Sequence, residues 1–424
     1  MKYSVGIIGG GAAGLTAAIA AAEKGAEVTV LERNDRPGKK LLSTGNGKCN
    51  LGNENLSPGN YYTTEPDFLE GCLKRFGTAE TKAFFGGIGL MIKGRNGYLY
   101  PVSEQASAVL DVLRYQVYAQ GTELVTDCKI EGIEKNRGNG KIHVWGNGKT
   151  FSFDRVILAC GGRAAPKTGS DGSGYLLAEQ LGHRIIPTVP ALVQLKCRED
   201  YLKSVAGVRT DALVTVLHRG KELARERGEL QLTDYGISGI PVFQVSRLVN
   251  YILKQDRETE IVIDFLPDET RESFEALCGG RIHLQRNRTV EEFFTGILHK
   301  KLMMLFIRLA GLRPQELVTD VDRNKIRQVY RLCRQWKVHV TGSNSYDNAQ
   351  VCAGGVPLNQ VTTDLESKKV PGIYFAGEIL DVDGKCGGYN LQWAWCSGYL
   401  AGCAAAGAEF QGNDRRRNEG GKTQ

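Results

Sequence analysis

Apolar and polar positions along this chain fall into three successive patterns. Tyr3 to Ile8 is a short apolar run of strand length, the alanine-rich stretch Leu15 to Lys24 has the length of a helix, and Glu27 to Leu31 is a second apolar run. Two later runs, Asp154 to Gly162 ("DRVILACGG") and Val370 to Glu378 ("VPGIYFAGE"), carry glycine at their ends, where a strand tip comes close to another group. Between them the pattern changes twice. Val189 to Phe265 alternates, as in "ALVTVLHRG" and "EIVIDF", which predicts strands with one buried face. Leu266 to Gln335 shows helical spacing, as in "VEEFFTGILHKKLMMLFIRLAG", before "WKVHVT" and "AQVCAGGV" return to strands. The stripe Phe293, Phe294, Ile297, Leu298, Leu302 and Phe306 reads as core, with a lid or partner face as the alternative. These changes predict an α/β domain in two pieces, residues 1–188 and 352–408. A β-rich insertion would comprise 189–265 and 336–351, a small helical unit 266–335, and a disordered tail 409–424.

The first run leads at once into "GGGAAG", Gly9 to Gly14, so strand, glycine turn and helix follow in the order that a GxGxxG match requires. Gly9 permits the tight turn, Gly11 lets the backbone approach a pyrophosphate, and Gly14 lets the helix pack on the strand. The phosphates would sit on the open amides of the helix N-terminus. Glu32 ends the second run eighteen residues beyond Gly14, where a carboxylate accepts from both ribose hydroxyls and repels a 2′-phosphate. That favours FAD or NAD over NADP. Glycine-tipped strands far along the chain favour FAD, whose greater length needs walls from distant segments.

With 424 residues the chain is long enough for two or three packed units, and 42% apolar against 24% charged content suits a globular protein. The apolar start is broken by glycines and Thr16, so neither a signal peptide nor a membrane anchor is expected. A net charge of +7 is scattered, and the run "DRRR" lies in the tail, so nucleic acid is not the expected partner. Eleven cysteines without a CxxC pair fit reduced thiols in the cytoplasm. Six dispersed histidines, His299 among them, show no metal-ligand spacing, and no metal is expected.

Six blocks together resemble the BaiN/RdsA family of NAD(P)/FAD-dependent oxidoreductases: "GIIGGGAAGLTAAI" at Gly6, "GKKLLSTGNGKCNLGN" at Gly38, "GYLYPVSEQASAVLDVL" at Gly97, "LACGGRAAPKTGSDGSGY" at Leu158, "LQLTDYGISG" at Leu230 and "GIYFAGEILDVDGKCGGYNLQWAWCSGYLAG" at Gly372. The resemblance implies a Rossmann-like, glutathione-reductase-type FAD-binding domain carrying the β-rich and helical units. It implies that Gly9, Gly11, Ala13 and Gly14 hold the pyrophosphate and Glu32 and Arg33 the adenosine end, with Ile130 meeting adenine through its backbone. Lys40, Asn46, Gly47, Cys49 and Asn50 would run beside the ribityl chain and the flavin ring, and Gly161, Gly377 and Glu378 would approach ribityl and phosphates. In similar sequences an arginine stands where this chain has Lys48, a point charge without the planar fork for bidentate phosphate contact. Glu378 has an alternative as a helix N-cap neighbour, and Asp171 reads as the N-cap of a helix from Gly174.

The glycine turn "GGYNLQWAWCSGYLAG" would place Gly388 and the amides of Asn390, Leu391 and Gln392 at the start of a helix aimed at the flavin's pyrimidine edge, favouring its reduced form. Trp393 and Trp395 read as helix packing, and Cys386 as a loop residue with at most a minor role. The resemblance implies a reductase passing hydride from NAD(P)H through flavin to an activated C=C beside a carbonyl, with steroid or bile-acid enones as one substrate class. No second strand-linked GxGxxG marks a nicotinamide site. No catalytic residue is assigned; the proton donor stays open among Arg95, Tyr98, Tyr100 and Tyr389, as does oligomeric state. The alternatives are a flavin-dependent RNA-modifying enzyme and a non-catalytic redox-sensing flavoprotein.

Overall fold

The computed structural model describes residues 2–408 except 257, 285 and 286, and the side chains of 277, 278 and 282–284 are not described. The tail expected from residue 409 lies outside the described residues. Two compact units are present, Met1–Thr188 with Val351–Gln424, and Val189–Gln350.

In the first unit a five-stranded parallel sheet is built from β1 (Ser4–Ile8), β2 (Glu27–Leu31), β3 (Glu123–Val125), β4 (Arg155–Leu158) and β5 (Ile373–Phe375). The order is β5-β4-β1-β2-β3, in register Ile8↔Leu31 on one side of β1 and Ile8↔Leu158 on the other. Strands buried on both faces read as continuous apolar runs, which is why these segments lack alternation. Helix α1 (Ala12–Glu23) follows β1 at once, and α2 (Tyr389–Ala405) packs against it. The two helices approach closely because α2 offers glycine: a Cβ on Gly398 would lie 2.4 Å from the Ala13 carbonyl oxygen, and one on Gly402 the same distance from that of Ala17. A three-stranded antiparallel sheet, Gly132–Lys135, Ile142–Gly146 and Lys149–Phe153, accompanies the main one.

In the second unit six antiparallel strands close into a barrel, running Leu195–Cys197, Gly236–Gly239, Lys221–Leu232, Arg209–His218, Thr259–Asp264 and Trp336–Ser343 around the ring. Inward residues alternate strictly, as at Thr259, Ile261 and Ile263. The helices Lys300–Leu309 and Arg323–Arg334 share one apolar core with this barrel, joined where Phe265, Phe306 and Trp336 meet at centroid separations of 5.4 to 5.7 Å. The stripe is core at Phe293, Phe294, Leu302 and Phe306, which are fully buried, and half-buried at Ile297 and Leu298. It belongs to two helices rather than one, because Val290–Phe294 stops before the second begins.

Candidate functional site

The carboxyl ends of β1 and β2 carry the glycine turn and Glu32. Gly9 has φ +107°, and a Cβ there would lie 2.5 Å from the Ala159 carbonyl oxygen. A Cβ on Gly14 would lie 1.9 Å from the Gly9 carbonyl oxygen, so both glycines are demanded by the chain's own packing. Gly11 differs: a Cβ there meets nothing within 4 Å. Its bareness serves no internal contact, and it borders the first turn of α1, whose leading amides have no intrahelical acceptor. Ala13 lies on that turn, facing Gly377. Open space beside unpaired donors is what a dinucleotide pyrophosphate needs, and these residues fit one.

Glu32 is buried, and its carboxylate already accepts three hydrogen bonds from its own chain. Oε2 accepts from the Gly10 amide at 2.8 Å, while Oε1 accepts from the Asn34 amide at 2.8 Å and from Asn34 Nδ2 at 2.7 Å. Most of its lone pairs thus brace the turn, and the capacity left for a further donor is chiefly on Oε2. Gly10 and Asn34 were missed as partners; the middle glycine of "GGG" was the available signal. The amides of Asp127 and Cys128 donate to the carbonyls of Asn34 and Glu32, which brings the segment leading to Ile130 beside the same strand end.

Arg33 pairs with Asp171 at 2.5 Å. Asp171 does not cap the helix expected from Gly174. That helix starts at Ser173 behind a left-handed Gly172, and Asp171 Oδ1 accepts from the Ser173 amide at 3.0 Å. Burial acts to raise its pKa, but Arg33 and Ser173 outweigh burial and bring it to about 2. Glu378 does not cap either: it accepts from Lys40 Nζ at 2.6 Å and from the Cys352 amide at 2.7 Å.

The loop after Lys40 turns through four left-handed residues, Gly45, Asn46, Gly47 and Cys49. Asn46, Gly47 and Lys48 are exposed, whereas the Cys49 thiol is buried and pushed up to about 12 by burial, so only its backbone is offered to a ligand. Lys48 pairs with Glu104 at 2.8 Å. The Asn50 amide, turned to satisfy its neighbours, donates to the carbonyls of Gly52 at 2.8 Å and Leu99 at 3.2 Å.

The same segment lies against the residue that caps α2. A Cβ on Gly388 would strike the end of the Asn50 side-chain amide and the Gly52 carbonyl oxygen, both at 2.6 Å. Gly388 is left-handed and caps α2, leaving the first-turn amides of Tyr389, Asn390 and Leu391 without intrahelical partners. Gln392 departs from expectation. Its amide donates to the Gly388 carbonyl at 2.9 Å, and its buried side chain bonds Thr81. The Asn390 side chain closes the turn by bonding both the amide and the carbonyl of Gly384 at 2.8 Å. Gly161 and Gly377 are bare for internal reasons as well: a Cβ would lie 2.6 Å from Ser170 Oγ in the first and 2.8 Å from Ala13 Cβ in the second. Trp393 and Trp395 are buried, donating to the carbonyls of Gly377 and Leu51.

Of the four proton-donor candidates, Tyr389 is buried, its hydroxyl facing the Asn55 carbonyl at 3.4 Å. Arg95, Tyr98 and Tyr100 line one cavity with Lys48, Asn96 and Glu104. Among the described residues no helix is long and apolar enough to cross a membrane, and no cluster of three His, Cys, Asp or Glu side chains could hold a metal.

The family model described as HI0933-like protein Rossmann domain matches residues 3–404. The 3-dehydro-bile acid delta(4,6)-reductase of Clostridium scindens is 45% identical over 407 residues, covering 95% of this chain and 98% of the relative. The ribosomal RNA dihydrouridine synthase of Haemophilus influenzae is 30% identical over 400 residues, covering 93% and 96%. Among solved structures, the 3-ketosteroid delta1-dehydrogenase of Sterolibacterium denitrificans superposes with a TM-score of 0.51 at 13% identity, over 96% of this chain and all of that one, a likeness of fold.

Proposed function

The chain belongs to the HI0933-like Rossmann family, and from that membership we propose that it is an FAD-dependent reductase of a C=C bond conjugated to a carbonyl, with a steroid or bile-acid enone as substrate and NAD(P)H as electron donor, acting in the cytoplasm. The observation that carries this reading is the 45% identity, along nearly the full length of both chains, to a reductase of 3-dehydro-bile acids. Bound FAD would supply hydride chemistry at its N5.

The chain's own residues supply position and field. The amides at the start of α1, beside the bare Gly11, would hold the pyrophosphate, with Glu32 and Asn34 stiffening the turn beneath. Arg33 and the segment to Ile130 would flank the adenosine end; Lys40, the backbone of Asn46 to Asn50, Gly161, Gly377 and Glu378 would line the path of the ribityl chain and ring. The open amides of Tyr389, Asn390 and Leu391 behind Gly388 would favour negative charge at the ring edge that they face.

Anaerobic titration with NADH or NADPH, followed at the flavin absorbance and then by addition of a 4-ene-3-oxo steroid, tests this reading. Reduction by either dinucleotide and reoxidation by the enone are expected; reduced protein that the steroid leaves reduced refutes that substrate. A second reading is favoured by the 30% identical relative named for dihydrouridine formation, because the C5=C6 bond of uracil is also conjugated to a carbonyl. It requires RNA retention that falls steeply with salt.

A further inference from the structure

A cavity of about 230 Å³ lies within the first unit, lined by Lys48, Arg95, Asn96, Tyr98, Tyr100 and Glu104. Its walls come from two segments bonded to each other. Arg95 ends the strand Ile92–Arg95, and the two-residue turn Asn96-Gly97, with φ of +52° and +83°, returns it as Tyr98–Pro101. Positive φ at both turn positions sets a tight hairpin matched to strand twist. That hairpin pairs with Gly52–Asn53, and the Leu51 amide donates to the Leu99 carbonyl at 2.8 Å, so the Lys48 loop and the Arg95 hairpin form one frame. Glu104 bridges Lys48 and Lys93 at 2.8 and 2.6 Å and neutralises much of their charge. Among the described residues Arg95 has no carboxylate partner, so the cavity carries a surplus guanidinium beside two tyrosines.

The cavity also adjoins the turn that starts α2. A Cβ on Gly387 would lie 3.0 Å from the Tyr98 ring, 3.2 Å from that of Tyr389 and 3.4 Å from Asn53 Nδ2. Thus Tyr98 separates the cavity from the turn bearing the open amides. Tyr100 is raised in pKa by burial first and next by Tyr98, so it stays a neutral donor near pH 7.

We propose that this cavity is an oxyanion subsite, in which Arg95, with the Tyr98 and Tyr100 hydroxyls beside it, takes a single carboxylate or phosphate group of a ligand whose reactive part lies past Tyr98 at the α2 turn. The volume suits one such group and a few of its neighbouring atoms, and a guanidinium matches a planar carboxylate or a phosphate edge. The oxyanion belongs either to an acidic enone substrate or to the reducing dinucleotide. The inference rests on the enone-reductase reading only for the first source.

Flavin-loaded protein is titrated, without reductant, with a 4-ene-3-oxo steroid bearing a side-chain carboxylate and with its methyl ester, binding being read from the flavin absorbance. Arg95→Ala is expected to weaken the acid roughly tenfold or more, as loss of a charge-assisted hydrogen bond does, and the ester less than twofold. Arg95→Lys is expected to restore part of the difference. An unchanged acid Kd with a tenfold rise in the dissociation constant of NADH or NADPH assigns the subsite to the dinucleotide phosphate. Equal loss for acid and ester, or no change for acid and dinucleotide alike, overturns the proposal. Where neither steroid perturbs the flavin, the proposed substrate falls while the dinucleotide arm still decides the cavity.

Discussion

Two alanine substitutions one helical turn apart separate a glycine kept for the fold from a glycine kept for a ligand. Gly11→Ala places a methyl group in open space at a backbone position, φ −82° and ψ −167°, that any L-residue adopts. Its effect on the ligand-free chain is the difference of two small terms: reduced freedom of the unfolded chain stabilises by about 0.4 to 1 kcal/mol, and alanine is a poorer N-cap than glycine by a similar amount. The unfolding midpoint of the FAD-stripped protein is therefore expected to move by no more than about 2 to 4 °C. Gly14→Ala instead drives a Cβ to 1.9 Å from the Gly9 carbonyl oxygen, well inside the 3.0 Å that real contacts respect. Separating α1 from the turn at this point costs about 1 to 3 kcal/mol or more, and the apo protein melts lower or fails to fold. The order reverses for cofactor. The methyl on Gly11 occupies the approach to the helix amides, and losing one charge-assisted hydrogen bond, about 1.5 to 3 kcal/mol, weakens FAD roughly 10- to 150-fold. Calorimetric FAD titration of stripped protein, with differential scanning of both variants, measures both effects. Wild-type FAD affinity and stoichiometry in Gly11→Ala would refute the assignment of this turn to the pyrophosphate.

Three further outcomes follow from the same geometry. Ser397 Oγ accepts from the Gly377 amide at 2.8 Å and donates to the Trp393 carbonyl at 2.6 Å, fully buried; Ser397→Ala leaves that amide unsatisfied and is expected to destabilise by about 1 to 3 kcal/mol in denaturant titration. Asp171 ionises in the fold at about 2, below its ordinary 3.8. Its pairing with Arg33 is thus fully present above about pH 4 and is lost as pH falls toward 2. Asp171→Asn should flatten the stability profile within that window by at most about 2 kcal/mol, the pair being partly exposed. The Cys49 thiol, pushed up to about 12 by burial, should resist iodoacetamide at pH 8 in the folded protein and react on unfolding, as peptide mapping would show.

The cradle was legible because its logic is local: strand, glycine turn and helix follow within Ser4 to Glu23, and Glu32 lies one strand later. What escaped reading is set by partners remote in sequence. Gln392 looks like a ligand residue at a helix start until Thr81, 311 positions away, takes its side chain. Asn390 bonds Gly384 across the same turn, while Asn50 and Gly52, from early in the chain, close on Gly388 at its head. Alternation in 189–265 announced strands, but closing them into a barrel depends on Leu195 pairing with both Ile237 and Ser343. No local pattern encodes that ring. The Asn96-Gly97 hairpin turn went unread, and its bearing on Lys48 emerges only when Leu51 bonds Leu99.

Glycine count alone says little about where a ligand sits, and the geometry explains why. Gly14, Gly161, Gly377, Gly388, Gly398 and Gly402 each abut a chain atom that a Cβ would meet at 2.8 Å or less, so the packing of α1, α2 and the strand tips accounts for them. Gly11 abuts nothing. The crowded glycines act on the site indirectly, by letting α2 lie close on α1 and the Asn50 loop close on Gly388. A substitution among them is expected to weaken cofactor binding together with stability, whereas the Gly11 change separates the two. Glu32 works in the same way as those crowded glycines. With three of its bonds made to Gly10 and Asn34, it stiffens the turn first, and the lone-pair capacity left for any further donor is chiefly on Oε2.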